Sequence, residues 1–261
     1  MFAHMKLDQV ATQFYTIRDF CQTSAGFAES CKKVRGIGYR AIQLSGLGPI
    51  SDDEIVRVCA GEGLTICATH EPGNVILSSP KQVVERLQKL GCRYTSYPYP
   101  GGVNLSGIDT LREFVAKLDH AGSVLREAGL ALTYHNHAME FHKVNGRTIL
   151  DWIYDESRAE NLQAEIDTYW VQAGGADPVA WCRKLKGRLP LLHLKDCTGM
   201  LDNRTAFCEI GNGNLDFVRI IDAAEQSGCE WFIVEQDTCP GDPFDSLKIS
   251  FDYIATNLVR G

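Results

Sequence analysis

No run of apolar residues in this 261-residue chain approaches the roughly 18 needed to span a bilayer. The N-terminal stretch MFAHMKLDQV also lacks a basic region followed by a long apolar core, so the expectation is a soluble, unexported, cytoplasmic protein with no membrane partner. An excess of positive charge is missing as well. A net charge of -7 and a pI near 5.5 argue against a partner gripped through its phosphates, which disfavours nucleic acid. Neither GxGxxG after the first strand nor GxxxxGK[ST] occurs, so the nucleotide-binding open sheets lose their signature. Ten cysteines are present, but never as CxxC, and Cys31, Cys59 and Cys182 fall where a helix wants a small apolar residue. They read as reduced core thiols. No linker or low-complexity segment interrupts the chain, which is therefore taken as one domain over residues 1–261. Homo-oligomerisation is left open.

What the chain does have is an alternation. Strand-like runs at 9–15, 39–44, 64–69, 93–97, 130–137, 162–166, 189–194 and 231–234 alternate with amphipathic helical patterns. The helices carry their own signals: Ser51 with Glu54 forms a capping box, Ser79-Pro80, Asp177-Pro178 and Asp242-Pro243 open helices, and Gly91, Gly129, Gly187 and Gly228 stop them. Eight strand and helix pairs in a chain with 44% hydrophobic residues predict a (β/α)8 barrel.

Polar side chains cluster where those strands end. The stretch Leu130 to Phe141, LALTYHNHAMEF, is an apolar run that empties into His135, His137 and Glu140. Alternate residues of a strand share a face, so the two histidines point the same way. His70 with Glu71, Asp167, His193 with Lys195, and Glu235 follow other strands in the same manner. The C-terminal ends of barrel strands share one face, where barrel active sites lie. Carboxylates and imidazoles converging there would repel or stay unsatisfied without a cation, a proton network or a substrate to join them. A divalent metal resolves this most simply, and mixed nitrogen and oxygen donors without thiolate suit Mn²⁺, Mg²⁺, Co²⁺ or Zn²⁺ without choosing among them.

The segments QFYTIRD, HNHAMEF, IDTYW, LHLKD and IVEQD, in this order, resemble the sugar phosphate isomerase/epimerase group of xylose isomerase-like TIM barrels. The resemblance implies one divalent metal held by Glu140, Asp167, His193 and Glu235; because many members carry the first glutamate on the fifth strand itself, where this chain has Tyr134 and His135, His135 or His137 is a candidate ligand instead of, or beside, Glu140. It implies an isomerase or epimerase that forms an enediolate beside the carbonyl of a sugar or keto-sugar. The alternative product of the same intermediate is β-elimination from a 3-keto-sugar, keto-glycoside or keto-inositol, a lyase or dehydratase. A sugar-binding barrel without catalysis and an abasic-site endonuclease are weaker readings, the latter because three metals need more histidines and a basic rim.

For catalysis the candidates are Glu140, Glu235, His137 and Lys195, with His137 expected to titrate near neutrality as the base. For substrate they are His70, His135, Trp170, Glu209 and Tyr15, with Glu209 in the EIGNGNLDF loop closing over the ligand. Asp196 reads as a carboxylate that orients a histidine or fixes a loop. Absence of clustered arginine at the mouth favours an unphosphorylated sugar.

Overall fold

Short strands rich in aliphatic and threonine side chains, each followed by an amphipathic helix, close here into a cylinder. The computed structural model describes residues 5–259; the first four residues of the stretch read above for a leader lie outside them. The barrel strands are β1 (Val10–Gln13), β2 (Ala41–Leu44), β3 (Thr65–His70), β4 (Tyr94–Tyr97), β5 (Ala131–His135), β6 (Leu162–Asp167), β7 (Leu191–Leu194) and β8 (Trp231–Val234). All neighbours pair in parallel, and β1 closes the ring against β8 in the register Ala11 to Ile233.

The helices are α1 (Ser24–Ile37), α2 (Asp52–Glu62), α3 (Gly73–Ser78), α4 (Pro80–Leu90), α5 (Ile108–Glu127), α6 (Ile149–Glu156), α7 (Thr168–Ala173), α8 (Pro178–Lys184), α9 (Phe217–Gln226) and α10 (Pro243–Asn257). The short α3 and α7 are additions to the eight expected. So are two antiparallel hairpins, Lys143–Val144 with Arg147–Thr148 and Asp196–Gly199 with Thr205–Cys208. Each addition is too short to display a hydrophobic period. Among the described residues no helix is long and apolar enough to cross a membrane, and all ten cysteines are free thiols.

Local signals account for most boundaries. Ser51 Oγ accepts from the Glu54 amide, and Asp177 and Asp242 accept from amides in the first turns of α8 and α10. Ser79 makes no such bond; α4 starts on Pro80 alone. Between sheet and helices lies the main core, where each fully buried aliphatic side chain contributes roughly 1.5–3 kcal/mol. Within the cylinder the lower layer is a compact hydrophobic cluster of Ala11, Ala41, Cys67, Ala68, Tyr94, Leu191 and Ile233. A register shift between β2 and β3 after Ile42 changes the phase of β3, so that Ala68 and then His70 face inward. Above that floor the inward positions are polar: Gln13, Gln43, Ser96, Thr133, His135, Glu165 and His193 are all buried.

Candidate active site

The parallel register decides which side chains meet at the C-terminal face. Asp167 stands opposite His193 across β6 and β7, and His135 stands opposite Glu165 across β5 and β6. One donor atom from each of His135, Asp167, His193 and Glu235 lies within 4.8 Å of the others, all four residues buried. His135 Nε2 is 3.4 Å and His193 Nδ1 is 3.7 Å from Asp167 Oδ2, and His193 Nδ1 is 2.9 Å from Glu235 Oε2. The strand end also begins α7, and Asp167 serves both: its Oδ1 caps the helix by accepting from the Trp170 amide at 3.0 Å, leaving Oδ2 for the site.

Lys195 Nζ neutralises much of this charge. Its side chain is 1% exposed, and it lies 3.2 Å from Asp167 Oδ2, 2.8 Å from Glu235 Oε2 and 3.1 Å from Asp237 Oδ2. Burial opposes its charge, but the three carboxylates outweigh that and hold the ammonium above its usual range. Burial likewise works to raise Asp167 and Glu235, yet Lys195 and the imidazoles keep both below the usual carboxylate range. His193 rises well above an ordinary imidazole, since the Glu165 and Glu235 carboxylates overcome its desolvation. Asp237 goes the other way. Burial and the nearby Glu235 raise it despite Lys195.

The donor chemistry suits a divalent cation. His135 Nδ1 faces the Pro98 carbonyl at 3.3 Å, an acceptor that requires the proton there, and Nε2 faces the Asp167 carboxylate at 3.4 Å, so a cation that replaced the Nε2 proton would meet both groups. Loss of one proton likewise frees His193 Nδ1 beside Glu235. Two imidazole nitrogens and two carboxylates then converge with only the Lys195 ammonium among them, and a cation would satisfy all four.

Of the residues singled out by sequence, His70, His135, His137, Trp170, Tyr15, Lys195 and Glu235 line one cavity of about 590 Å³ at the barrel mouth, with Tyr99, Arg18 and Asp237. The structure does not bring Glu140 to the group. It lies in the turn Ala138–Phe141, where Tyr134 Oη donates to Oε1 at 2.9 Å and the His137 amide donates to Oε2 at 2.8 Å, while burial raises its pKa. His135 occupies the fifth-strand position instead. His137 departs from expectation in its titration: burial, helped by His135, lowers it to about 3, so it is neutral near pH 7 rather than half-charged.

Glu209 lies away from the cavity, accepting from Ser246 Oγ at 2.7 Å and from Asn212 Nδ2 at 3.2 Å, so it pins its loop to α10 instead of covering a ligand. Asp196 fixes that same loop. Its carboxylate accepts from the amides of Cys197, Gly211, Gly213 and Leu215 at 2.7 to 3.3 Å, and any side chain at position 213 would collide with it. Asp196→Ala is expected to lower stability by roughly 3 kcal/mol, because it strips four buried or half-buried amides of a charged acceptor. An unchanged urea midpoint would contradict that role.

Sequence reasoning passed over Gln43, Glu165 and Asp237. Glu165 and Asp167 sit two apart in QAEID, the spacing that puts both on one strand face, and Gln43 interrupts the apolar AIQL. That period-two pattern was the available signal.

Comparisons with known proteins agree with this architecture. An inosose dehydratase from Geobacillus kaustophilus is 30% identical over 154 residues, a stretch covering 52% of this chain and 49% of that protein, so the match spans about half the relative's length. A sugar phosphate isomerase/epimerase from Parabacteroides distasonis superposes with a TM-score of 0.82 at 22% identity, over 96% of this chain and 99% of that one. A xylose isomerase-like TIM barrel protein from Mycobacterium smegmatis, solved in complex with magnesium, gives a TM-score of 0.73 at 15% identity, over 96% of each chain. The family model for the xylose isomerase-like TIM barrel matches residues 31–255, and with the closed eight-stranded barrel already described, the chain belongs to that family.

Proposed function

We propose that the protein is a divalent-metal-dependent sugar or keto-sugar isomerase or epimerase that moves a proton next to a carbonyl. The observation that carries this is the convergence of His135, Asp167, His193 and Glu235 beside a buried ammonium at the floor of a cavity of about 590 Å³. An ion held by those four residues would supply Lewis acidity to substrate oxygens. Two imidazoles in the set favour Mn²⁺, Co²⁺ or Zn²⁺ over Mg²⁺. The unpaired cysteines fit a cytoplasmic setting.

The chain's own residues divide the remaining work. Lys195, kept protonated, faces the oxyanion that develops when the adjacent C–H bond breaks. The proton acceptor is Asp237: of the two carboxylates lining the cavity, Glu235 belongs to the donor set and Asp237 does not. Arg18 Nη1 donates to the Asp237 carbonyl at 3.3 Å and steadies that segment. Tyr15, Tyr99 and Trp170 offer flat surfaces for a sugar ring. With Lys195 engaged by three carboxylates, a free sugar fits better than a sugar phosphate.

A second reading, loss of a β-substituent from the same intermediate, is favoured by the dehydratase relative and by Lys195, which could protonate the leaving group. Product mass separates the two, since isomers keep the mass of the substrate and elimination removes water.

Exchange of the substrate α-proton in deuterated water tests the assignment of the base. Asp237→Asn should retain metal and lose roughly 10²- to 10⁴-fold in exchange rate, while His137→Ala should keep most of it. Undiminished exchange in Asp237→Asn would return the role to Glu235.

A further inference from the structure

We infer that Gln43 and Glu165 are positioning residues that fix which nitrogen of His193 is free to bind a metal, an inference that rests on the metal-centre reading above. Hydrogen-bond direction fixes the proton. Glu165 is fully buried inside the barrel, and as a carboxylate it can only accept. Gln43 Nε2 lies 2.6 Å from Glu165 Oε1, so the amide turns its N–H₂ to the acid and its carbonyl the other way. That carbonyl oxygen lies 2.7 Å and Glu165 Oε1 itself 3.3 Å from His193 Nε2, which faces two acceptors and must therefore carry a proton and donate. Nδ1 is left on the side of Glu235 and Asp167, where the donor set converges.

The same carboxylate orders a second ring. Its Oε2 lies 2.6 Å from His70 Nε2, which donates; His70 Nδ1 then accepts from Gln13 Nε2 at 3.2 Å, and Gln13 Oε1 accepts from the Tyr15 amide at 3.2 Å. Both nitrogens of His70 are spent in this chain. The close approach of His70, Glu165 and His193 is accordingly a hydrogen-bonded frame beneath the site and not a second metal centre. Reversing the whole chain requires a proton on Glu165, which would bare His193 Nε2 and place the proton on Nδ1 instead. Partners that orient a ligating histidine in this way are typically worth 10- to 100-fold in metal affinity.

The test uses protein labelled with ¹⁵N-histidine, the His193 signals being identified by their loss in His193→Gln. Long-range ¹H–¹⁵N spectra should find a proton on Nε2 in the metal-free protein, whatever the state of Nδ1. After one equivalent of Zn²⁺ that proton should remain and Nδ1 should have none. Gln43→Met, which leaves His193 Nε2 only Glu165 Oε1 at 3.3 Å, should exchange the Nε2 proton with solvent faster than the wild type and bind Zn²⁺ roughly 10- to 100-fold more weakly. A bare Nε2 in the wild type, a second tight equivalent of Zn²⁺ at His70, or wild-type spectra and affinity in Gln43→Met would each overturn the inference. If no Zn²⁺ binds at all, the metal-centre reading fails, while the Nε2 proton of the metal-free protein still decides this one. Should Gln43→Met not fold, the wild-type spectra decide it alone.

Discussion

Asp167→Asn is expected to abolish metal binding and turnover together while leaving the barrel folded. The substitution keeps an oxygen at Oδ1, so the α7 cap on the Trp170 amide survives. At Oδ2 it sets an N–H₂ where Lys195 Nζ now lies 3.2 Å away and where the site needs an acceptor. The set loses one of its two carboxylates, and the ammonium loses one of three counter-charges. Affinity should fall by more than the ~100-fold typical of a residue that merely orients a ligand. Titration with Mn²⁺, read alongside circular dichroism, checks this. Wild-type affinity in the folded variant would remove Asp167 from the donor set.

Lys195→Met should produce the largest loss of stability. Its ammonium is a buried cation that Asp167, Glu235 and Asp237 share, and methionine of similar length takes that counter-charge from all three. Breaking a buried pair by removing one partner costs roughly 3–5 kcal/mol. At about 2–4 °C per kcal/mol for a chain of this size, the metal-free variant should melt roughly 10 °C lower. The three freed carboxylates should hold a divalent ion tightly, so added Mn²⁺ should raise the melting temperature more than it does for the wild type. Turnover should be lost even with the ion bound, because no cation then meets the developing oxyanion. A melting temperature equal to the wild type's would mean that the lysine is not the keystone of the site.

Much of this was legible in the sequence because two signals are strong in single chains. Hydrophobic periods located all eight strands, and polar residues closing the apolar runs marked the functional face through Asp167, His193 and Glu235. Two of the residues that escaped notice, Gln43 and Glu165, share a physical cause. Gln43 and Glu165 lie inside strands, where an apolar run hides a polar side chain whose partners come from strands far away in sequence. Glu140 illustrates the opposite difficulty. Its position after β5 says only that it is near the mouth, and the direction of its carboxylate depends on the turn Ala138–Phe141, which folds it back to Tyr134. His137 sits at the expected place, but its protonation depends on burial, which no local pattern records.

The most direct measurement is an anomalous diffraction map of crystals soaked in Mn²⁺. One strong peak per chain is expected, contacting His135, Asp167, His193 and Glu235, with Glu140 still bonded to Tyr134. A peak elsewhere, several peaks, or Glu140 swung onto the ion in place of His135 would contradict this assignment.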